Sequence, residues 1–196
     1  MNPLEMRFAG SAKVEADSSR RIKGYAIVFN SMSLDLGGFR EIIMPSAVDR
    51  TLSEAMDVRA LVDHDSAKVI GRTRAGTLAL RKDRTGLRVD IDPADTTTGR
   101  DILELVRRGD ITGMSFAFRT LTDEWRMEDG EAIREVHDMT ISEVSIVTFP
   151  AYQDTSVEVQ ARSLEVAQRS LREFKQSAKG KSIDWLRKVH RQRMAS

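Results

Sequence analysis

The chain contains no cysteine among its 196 residues. This absence excludes disulfide bonds, thiolate metal ligands and a cysteine nucleophile. Aromatic residues make up only 6% of the chain, which argues against a nucleic-acid-binding surface in its main body. No apolar segment approaches membrane-spanning length, and the N-terminus lacks the basic and apolar runs of a signal peptide. We therefore expect a protein without membrane association that acts in the compartment where it is made.

Charged residues are nearly balanced in number but unevenly distributed. The last 35 residues, Arg162 to Ser196, contain ten Lys or Arg against three Asp or Glu, and the remainder contains 21 basic and 27 acidic residues. The tail therefore has a net charge of +7 and the body a net charge of −6. A basic segment of this kind is typical of an interaction tail, although a solvated helix that happens to be basic is the alternative. We predict one domain over residues 1–161 and a basic helical tail over residues 162–196.

Alternating apolar residues predict many short strands and few helices. Helices are expected from Pro45 to Leu52, from a cap at Thr97 or Thr98 to Arg108, from Ser163 to Ala178, and after Ser182. Strands are expected over residues 4–16, 22–29, 40–44, 58–63, 69–71, 78–80, 87–91, 111–122, 124–126, 132–137 and 139–149. This pattern indicates an α+β chain, built as a compact, mainly antiparallel β-barrel, closed or nearly closed, with inserted helices.

A serine and a histidine on two of these strands are the first candidates for chemistry. Met114, Phe116 and Phe118 alternate on one strand face, so the side chain of Ser115 points to the other. His64 ends the apolar strand that begins at Val58, and it shares a face with the apolar residues there. Acyl transfer requires a hydroxyl beside an imidazole that accepts its proton. The alternatives are a serine that merely fits a half-buried strand and a histidine that faces water.

A third group is needed to orient the histidine. Glu143 lies in the middle of an apolar strand, where carboxylates are seldom buried without a partner, although an exposed strand face is the alternative. His137 is the competing candidate. His64, Asp65 and His137 could be assembled into a metal site, but nothing in their spacing requires one. We therefore predict no metal. No glycine-rich phosphate-binding loop is present either, and we predict no cofactor.

Five stretches of the chain together carry a family resemblance. They are Gly24–Asn30; Phe39–Glu41 with Pro45–Ala47; Val62–Asp65 followed by Ile70 and Gly71; Gly109–Phe118; and Ile141–Tyr152. In this order, over residues 6–160, they resemble the prohead maturation proteases of tailed bacteriophages. The stretches around Ser115 and Glu143 are the specific ones, whereas the first stretch alone is weak.

The resemblance implies a fold, an activity and a set of site residues. Such proteases are similar to the herpesvirus capsid-assembly protease, a compact β-barrel surrounded by helices. It implies a serine endopeptidase inside the immature capsid, in the host cytoplasm, that cuts the scaffolding segment from the major capsid protein precursor and then digests itself. It implies Ser115 as the nucleophile, His64 as the general base and Glu143 as the third member. His137 is held in reserve, because the herpesvirus enzymes use a second histidine.

Partners and alternatives complete the prediction. The expected partners are the major capsid protein precursor and its scaffolding segment, with a homodimer as a further option and no specific nucleic acid. The basic tail, outside the resemblance, is expected to dock to the scaffolding part of the precursor or to be removed by self-cleavage. A non-catalytic assembly module on the same fold is the alternative for the body, because fold alone does not determine function. A tail that binds nucleic acid through its charge is the third hypothesis.

Overall fold

A computed structural model describes residues 4–8, 14–17, 20–148, 165 and 167–177. The helices within this part are α1 (Asp49–Ser53), which follows a 3-10 turn over Pro45–Val48, α2 (Thr97–Arg108), and the helical residues 167–177. The strands are β1 (Glu5–Phe8), β2 (Val14–Ala16), β3 (Ile22–Val28), β4 (Arg40–Ile43), β5 (Arg59–Val62), β6 (Asp65–Arg72), β7 (Leu78–Lys82), β8 (Gly86–Ile91), β9 (Gly113–Glu128) and β10 (Glu131–Val147).

The strands form two sheets. The larger has the order β1-β9-β10-β5-β6, and β4 also pairs with β10. The smaller has the order β2-β3-β8-β7. Most pairs are antiparallel, but β10 runs parallel to both β4 and β5. Apolar side chains from both sheets and from α2 belong to one buried cluster, so the two sheets enclose a common core.

The predicted α+β class is correct, but the described residues do not form a closed barrel. In the part of the chain that the structure describes, β1 and β6 each pair with a single neighbour and end the larger sheet. The smaller sheet ends in the same way at β2 and β7. The physical reason is that side-chain alternation specifies which face of a strand is buried, whereas it does not specify which edges pair.

Helix α2 follows its local sequence signals closely. Its N-cap is Thr96, whose side chain accepts a hydrogen bond from the backbone N–H of Gly99 at 3.1 Å, so the predicted caps at Thr97 and Thr98 are wrong by one or two residues. Its last turn carries the two arginines that the helix dipole favours. Gly109 then ends the helix with φ of 80°, a left-handed conformation that glycine adopts without strain. None of the helices in the described residues is long and apolar enough to cross a membrane.

Strands β9 and β10 form one long hairpin. The sequence pattern predicts four shorter strands here, but β9 has 16 residues and β10 has 17. The register between them shifts three times: His137 and Ser142 are extra residues in β10, and Leu121 is an extra residue in β9. Each β-bulge changes the phase of the alternation, which is why one strand resembles two in the sequence.

The described part of the tail is helical and packs against the far end of this hairpin. Residues 167–177 contribute Ala167, Leu171 and Phe174 to a second apolar cluster. In that cluster the ring centroid of Trp125 lies 5.2 Å from that of Phe39 and 6.0 Å from that of Phe174. The predicted second tail helix, the last residue of the predicted strand over 139–149, and parts of the predicted helix over 163–178 and of the predicted strand over 4–16 lie outside the described residues.

Candidate active site

Strand β9 presents Ser115 on the face of the larger sheet that we call the serine face, the face carrying Ser115 and Ala117. The opposite face of β9 carries Phe116 and Phe118, whose ring centroids lie 5.1 Å apart, in agreement with the predicted alternation. Ser115 lies opposite Phe8 on β1 and opposite Ser145 on β10. Only 5% of Ser115 is exposed, so the hydroxyl lies in a nearly dry environment.

His64 reaches Ser115 from a tight turn between β5 and β6. The prediction that His64 ends a strand and shares its face is wrong, because β5 stops at Val62 and β6 begins at Asp65. Asp63 and His64 both have positive φ, at 49° and 58°. Two such residues in a two-residue connection are the hallmark of a type I′ hairpin, and Asp and His tolerate this region better than most side chains. The turn brings His64 Nε2 within 2.8 Å of Ser115 Oγ.

A β-bulge directs Glu143 toward the histidine. Ile141 lies opposite Phe118, and Glu143, two residues later, lies opposite Ala117, so Ser142 is the extra residue. Without this insertion Glu143 would share the core face of Ile141, because strand side chains alternate with a period of two. The bulge instead moves Glu143 to the serine face, where its Oε1 atom contacts His64 Nδ1.

A buried serine supports the carboxylate. Ser145 is fully buried opposite Ser115, and its hydroxyl donates to Glu143 Oε1 at 3.3 Å. A buried carboxylate oxygen is stabilised when polar hydrogens point at it. Ser145 therefore helps to hold the Glu143 side chain beside the imidazole.

Asp63 fastens the histidine turn to the end of β10. Its carboxylate accepts the backbone N–H of Thr148 at 2.8 Å and the Thr148 hydroxyl at 3.0 Å. Its own backbone N–H donates to the carbonyl oxygen of Ile146 at 2.9 Å. Because β10 also carries Glu143, these bonds set the position of His64 relative to its carboxylate partner.

The hydroxyl of Ser115 has two acceptors within reach. One is His64 Nε2, and the other is the backbone carbonyl oxygen of Arg7 on β1, at 2.9 Å. A hydroxyl carries a single proton, so it donates to one of these acceptors at a time. The Arg7 carbonyl on β1 and the His64 imidazole thus compete for the single proton of Ser115. We call the hydrogen bond to the carbonyl the resting hydrogen bond.

The opposite face of the β1–β9 pair holds a buried network of charges. Arg134 Nη1 lies 2.6 Å from Glu5 Oε2 and 2.9 Å from Glu41 Oε2, and Arg7 Nε lies 2.8 Å from Glu41 Oε1. Thr120 donates its hydroxyl to Glu5 at 2.6 Å. Each of these side chains is at least nine-tenths buried. The network therefore joins β1 to β4 and β10 on the face opposite Ser115.

The network determines the titration of its members. Burial alone would raise the pKa of Glu5, but the hydrogen bond and charge of Arg134, together with the charge of Arg7, outweigh burial and hold that pKa below its ordinary value. Burial likewise opposes the charge of Arg134, yet Glu5 and Glu41 keep its pKa above the ordinary arginine value. The mutual contact of Glu5 and Arg134 therefore favours the charged form of both side chains.

His137, the reserve candidate, lies away from this site. It lies at the other bulge of β10, where its Nε2 atom is 3.5 Å from Glu135 and 4.0 Å from Glu124. These three side chains offer ligand atoms within 4.8 Å of one another and are the group in the described residues that could hold a metal ion. The alternative set of His64, Asp65 and His137 is not brought together.

Sequence reasoning identified three of the residues that meet here and missed three that support them. Asp63 and Ser145 were read only as neighbours of His64 and Glu143. The spacing of the core residues Ile141, Val144 and Ile146 departs from strict alternation, and this phase change is the signal that could have revealed the bulge. Nothing in the sequence could indicate the contact of the Arg7 carbonyl with Ser115, because the backbone carbonyl is the same in every residue.

The arrangement has the order of atoms that acyl transfer requires. A carboxylate contacts one imidazole nitrogen, the other imidazole nitrogen lies within hydrogen-bonding distance of a hydroxyl, and the hydroxyl belongs to a residue of strand β9. Comparison with known proteins agrees with this chemistry. No curated protein and no solved structure matches the chain. A family model for the caudovirus prohead serine protease matches residues 9–170, most of the chain, and the protein therefore belongs to that family of serine peptidases.

Proposed function

We propose that Ser115 is the nucleophile of this peptidase, that His64 is its general base and that Glu143 orients the imidazole. The observation that supports this assignment best is the 2.8 Å separation of Ser115 Oγ from His64 Nε2, with Nδ1 of the same ring against Glu143. Nucleophile, base and orienting acid come from three different strands or turns, so the fold rather than local sequence brings them together.

The proposed reaction has two stages. His64 Nε2 accepts the hydroxyl proton while Ser115 Oγ attacks the scissile carbonyl, and the collapse of the tetrahedral intermediate breaks the C–N bond as His64 returns the proton to the leaving amine. The product of this stage is an ester between Ser115 and the substrate acyl group. A water molecule then attacks the ester, with His64 again accepting and returning one proton, and releases the acid. Glu143 accepts from Nδ1–H throughout and stabilises the imidazolium.

The resting hydrogen bond to the Arg7 carbonyl gives the first step a specific requirement. The Ser115 proton must turn from the carbonyl oxygen of Arg7 to His64 Nε2 before it can be transferred. Both acceptors lie within 3 Å, so a rotation of the hydroxyl about its Cβ–Oγ bond is sufficient. The rotation gives up the hydrogen bond to the Arg7 carbonyl in exchange for one to the imidazole.

We propose that the substrate is the scaffolding portion of the major capsid protein precursor, followed by the protease itself, inside the prohead. The family description supports a site of action in the immature capsid of a caudovirus and contact with capsid proteins. The charge of +7 on residues 162–196 supports a docking role for the tail on an acidic partner segment. A homodimer stays a prediction.

Replacement of the proposed nucleophile tests the assignment directly. Ser115→Ala removes one oxygen atom from a buried site, so we expect an unchanged fold and a loss of peptide cleavage on the order of 10⁶-fold. The wild-type protein should also form a covalent adduct with a serine-directed phosphonate, detected by mass spectrometry, and the variant should not. A matched control is Ser145→Ala on the neighbouring strand, which should still be labelled. A Ser115→Ala variant that cleaves the capsid precursor at the wild-type rate would contradict the assignment and favour a non-catalytic assembly module.

Truncation of the tail tests its docking role. The helix over 167–177 buries Leu171 against the domain, so a chain that ends after residue 177 removes basic residues without exposing Phe39 and Trp125. We expect this truncation to leave peptide cleavage unchanged and to reduce incorporation into assembling proheads, measured by immunoblotting of purified particles. Incorporation at the wild-type level would rule out docking by the removed segment.

A further inference from the structure

The serine face carries a second functional group four residues along β9 from Ser115. Ser115, Ala117 and Arg119 follow one another on this face because strand side chains alternate. Thr120, the next residue, points to the opposite face, where it bonds to Glu5. At the ordinary rise of a strand, the Cα atoms of Ser115 and Arg119 are about 13 Å apart.

Arg119 lacks the carboxylate partners that the other arginines of this hairpin have. Arg126 lies 2.8 Å from Glu135, and Arg134 lies 2.6 Å from both Glu5 and Asp123. Within the described residues, the Nε atom of Arg119 is buried without a hydrogen-bond partner, and no ion pair includes its guanidinium. A half-buried cation with an unsatisfied donor is costly, and such a group in a native fold calls for an explanation.

The acid that the strand register places nearest on this face is already engaged. Glu143 lies opposite Ala117, one alternation step from Arg119. Its Oε1 atom accepts from both His64 and Ser145. The charge of Arg119 is therefore available to an anion that comes from outside the described residues.

The strand beside Arg119 provides apolar surface on the same face. Met6 lies opposite Ala117, so the side chains of Leu4, Met6 and Phe8 line β1 next to the Ser115 row. Leu4 is 38% exposed, and the burial pattern of β1 leaves Met6 and Phe8 less buried than Glu5 and Arg7 on the other face. One cation next to an apolar strip suits a peptide with one acidic side chain among apolar ones.

We propose that Arg119 binds an Asp or Glu side chain of the substrate polypeptide, about four residues from the scissile bond. This inference rests on the proposed function of Ser115, because the distance is counted from that atom. An extended peptide rises by about 3.3 Å per residue, so four residues span the separation of Ser115 and Arg119. A guanidinium binds a carboxylate through two parallel hydrogen bonds, which supplies both energy and orientation. The protease would then select segments by an acidic residue as well as by the residues at the cleaved bond.

Profiling of cleavage sites tests the proposal. The full-length protein is incubated with a diverse peptide library, and the cleaved sites are identified by mass spectrometry. We expect enrichment of Asp and Glu about four residues from the cleaved bond. For a matched pair of peptides with Glu or Gln at that position, kcat/KM should differ by roughly 10- to 100-fold, the equivalent of one charge-assisted hydrogen bond. High salt should reduce this ratio, because screening weakens the charge pair.

Variants of the arginine separate recognition from structure. Arg119→Gln should abolish the Glu-to-Gln ratio, and Arg119→Glu should create a preference for Lys or Arg at the same position. Arg126→Gln is the matched control, because it removes an equal charge from the far end of the same strand and should leave the ratio unchanged. Should Arg119→Gln fail to fold, the profile and salt dependence of the wild-type protein still decide the question.

The outcomes distinguish this inference from the proposed function. Cleavage that depends on Ser115 but shows no acidic enrichment would overturn the role of Arg119 alone. Enrichment that persists unchanged in Arg119→Gln, or an equal loss in Arg126→Gln, would also overturn it. Cleavage that survives in Ser115→Ala would instead overturn the proposed nucleophile.

Discussion

The two faces of the β1–β9 strand pair bury polar groups in opposite ways. On one face, Glu5, Glu41, Arg7 and Arg134 meet in a network in which each charge has a partner of opposite sign. On the other face, the single proton of Ser115 is shared between two acceptors. Arg7 belongs to both, since its side chain joins the network and its carbonyl contacts Ser115.

One face of the β1–β9 pair is suited to stabilising the fold, and the other is suited to proton transfer. A saturated network has one favourable arrangement of protons and resists change, and buried ion pairs of this kind fix the geometry of the strands that carry them. A hydroxyl with two acceptors has two arrangements of similar geometry, and the proposed reaction requires it to pass from one to the other. The saturated face therefore holds β1 and β9 still while the proton on the serine face moves.

Replacement of the histidine or its carboxylate partner should have the largest effect on activity. His64→Ala removes the proposed base, and we expect a fall in kcat on the order of 10⁶-fold. Glu143→Gln keeps the shape of the side chain but removes its charge, and we expect a smaller fall of about 10⁴-fold. The measurement is the steady-state rate on a peptide that spans a mapped cleavage site, with folding verified by circular dichroism.

Two controls sharpen that result. Glu135→Gln changes a carboxylate on the same strand that contacts Arg126 and His137, and it should retain wild-type kcat. His137→Ala should retain it as well. A larger loss for Glu143→Gln than for His64→Ala, or a large loss for His137→Ala, would show that the third member has been assigned incorrectly.

Replacement of a charge on the saturated face should instead affect stability. Arg134→Met removes one of the two arginines that Glu5 and Glu41 share in a buried site. Breaking a buried ion pair of this kind costs about 3–5 kcal/mol of unfolding free energy. The control is Arg126→Met on the same hairpin, whose side chain is 42% exposed and whose loss should cost less than about 1 kcal/mol. Urea denaturation of both variants provides the comparison. Equal costs for the two would mean that the network contributes no more than a surface ion pair.

The contrast between the faces also explains what could be predicted from the sequence. The alternation of Met114, Phe116 and Phe118 is local, and it placed Ser115 on the correct face. The position of Glu143 depends on an inserted residue, Ser142, whereas the bulge at His137 lies where one strand was predicted as two. The extent of β10 was therefore missed, although Glu143 itself was among the candidate residues.

Contacts between residues far apart in the chain could not be predicted from the sequence pattern around each residue. Glu5, Glu41 and Arg134 come from three strands that are far apart in the chain, and each is an ordinary charged residue in its own segment. The same holds for the pairing of strand edges, so a barrel was predicted where the described residues form two open sheets. The turn at Asp63 and His64 was missed because this pair lacks the glycine that usually marks a type I′ hairpin.

Acid titration should have the smallest effect on the unfolding free energy. It tests the contribution of Glu5 separately from the rest of the network. The pKa of Glu5 in the folded protein lies below its ordinary value of 4.5, so the ionised carboxylate stabilises the folded state. This contribution is fully present above about pH 4.5 and is lost as the pH falls through the lower folded value. Glu5→Gln removes the titrating group while keeping its shape. We expect the unfolding free energies of wild type and Glu5→Gln, measured by urea denaturation from pH 7 to pH 3, to converge as the pH falls. Curves that stay parallel below pH 4.5 would mean that Glu5 is not held ionised by Arg134 and Arg7.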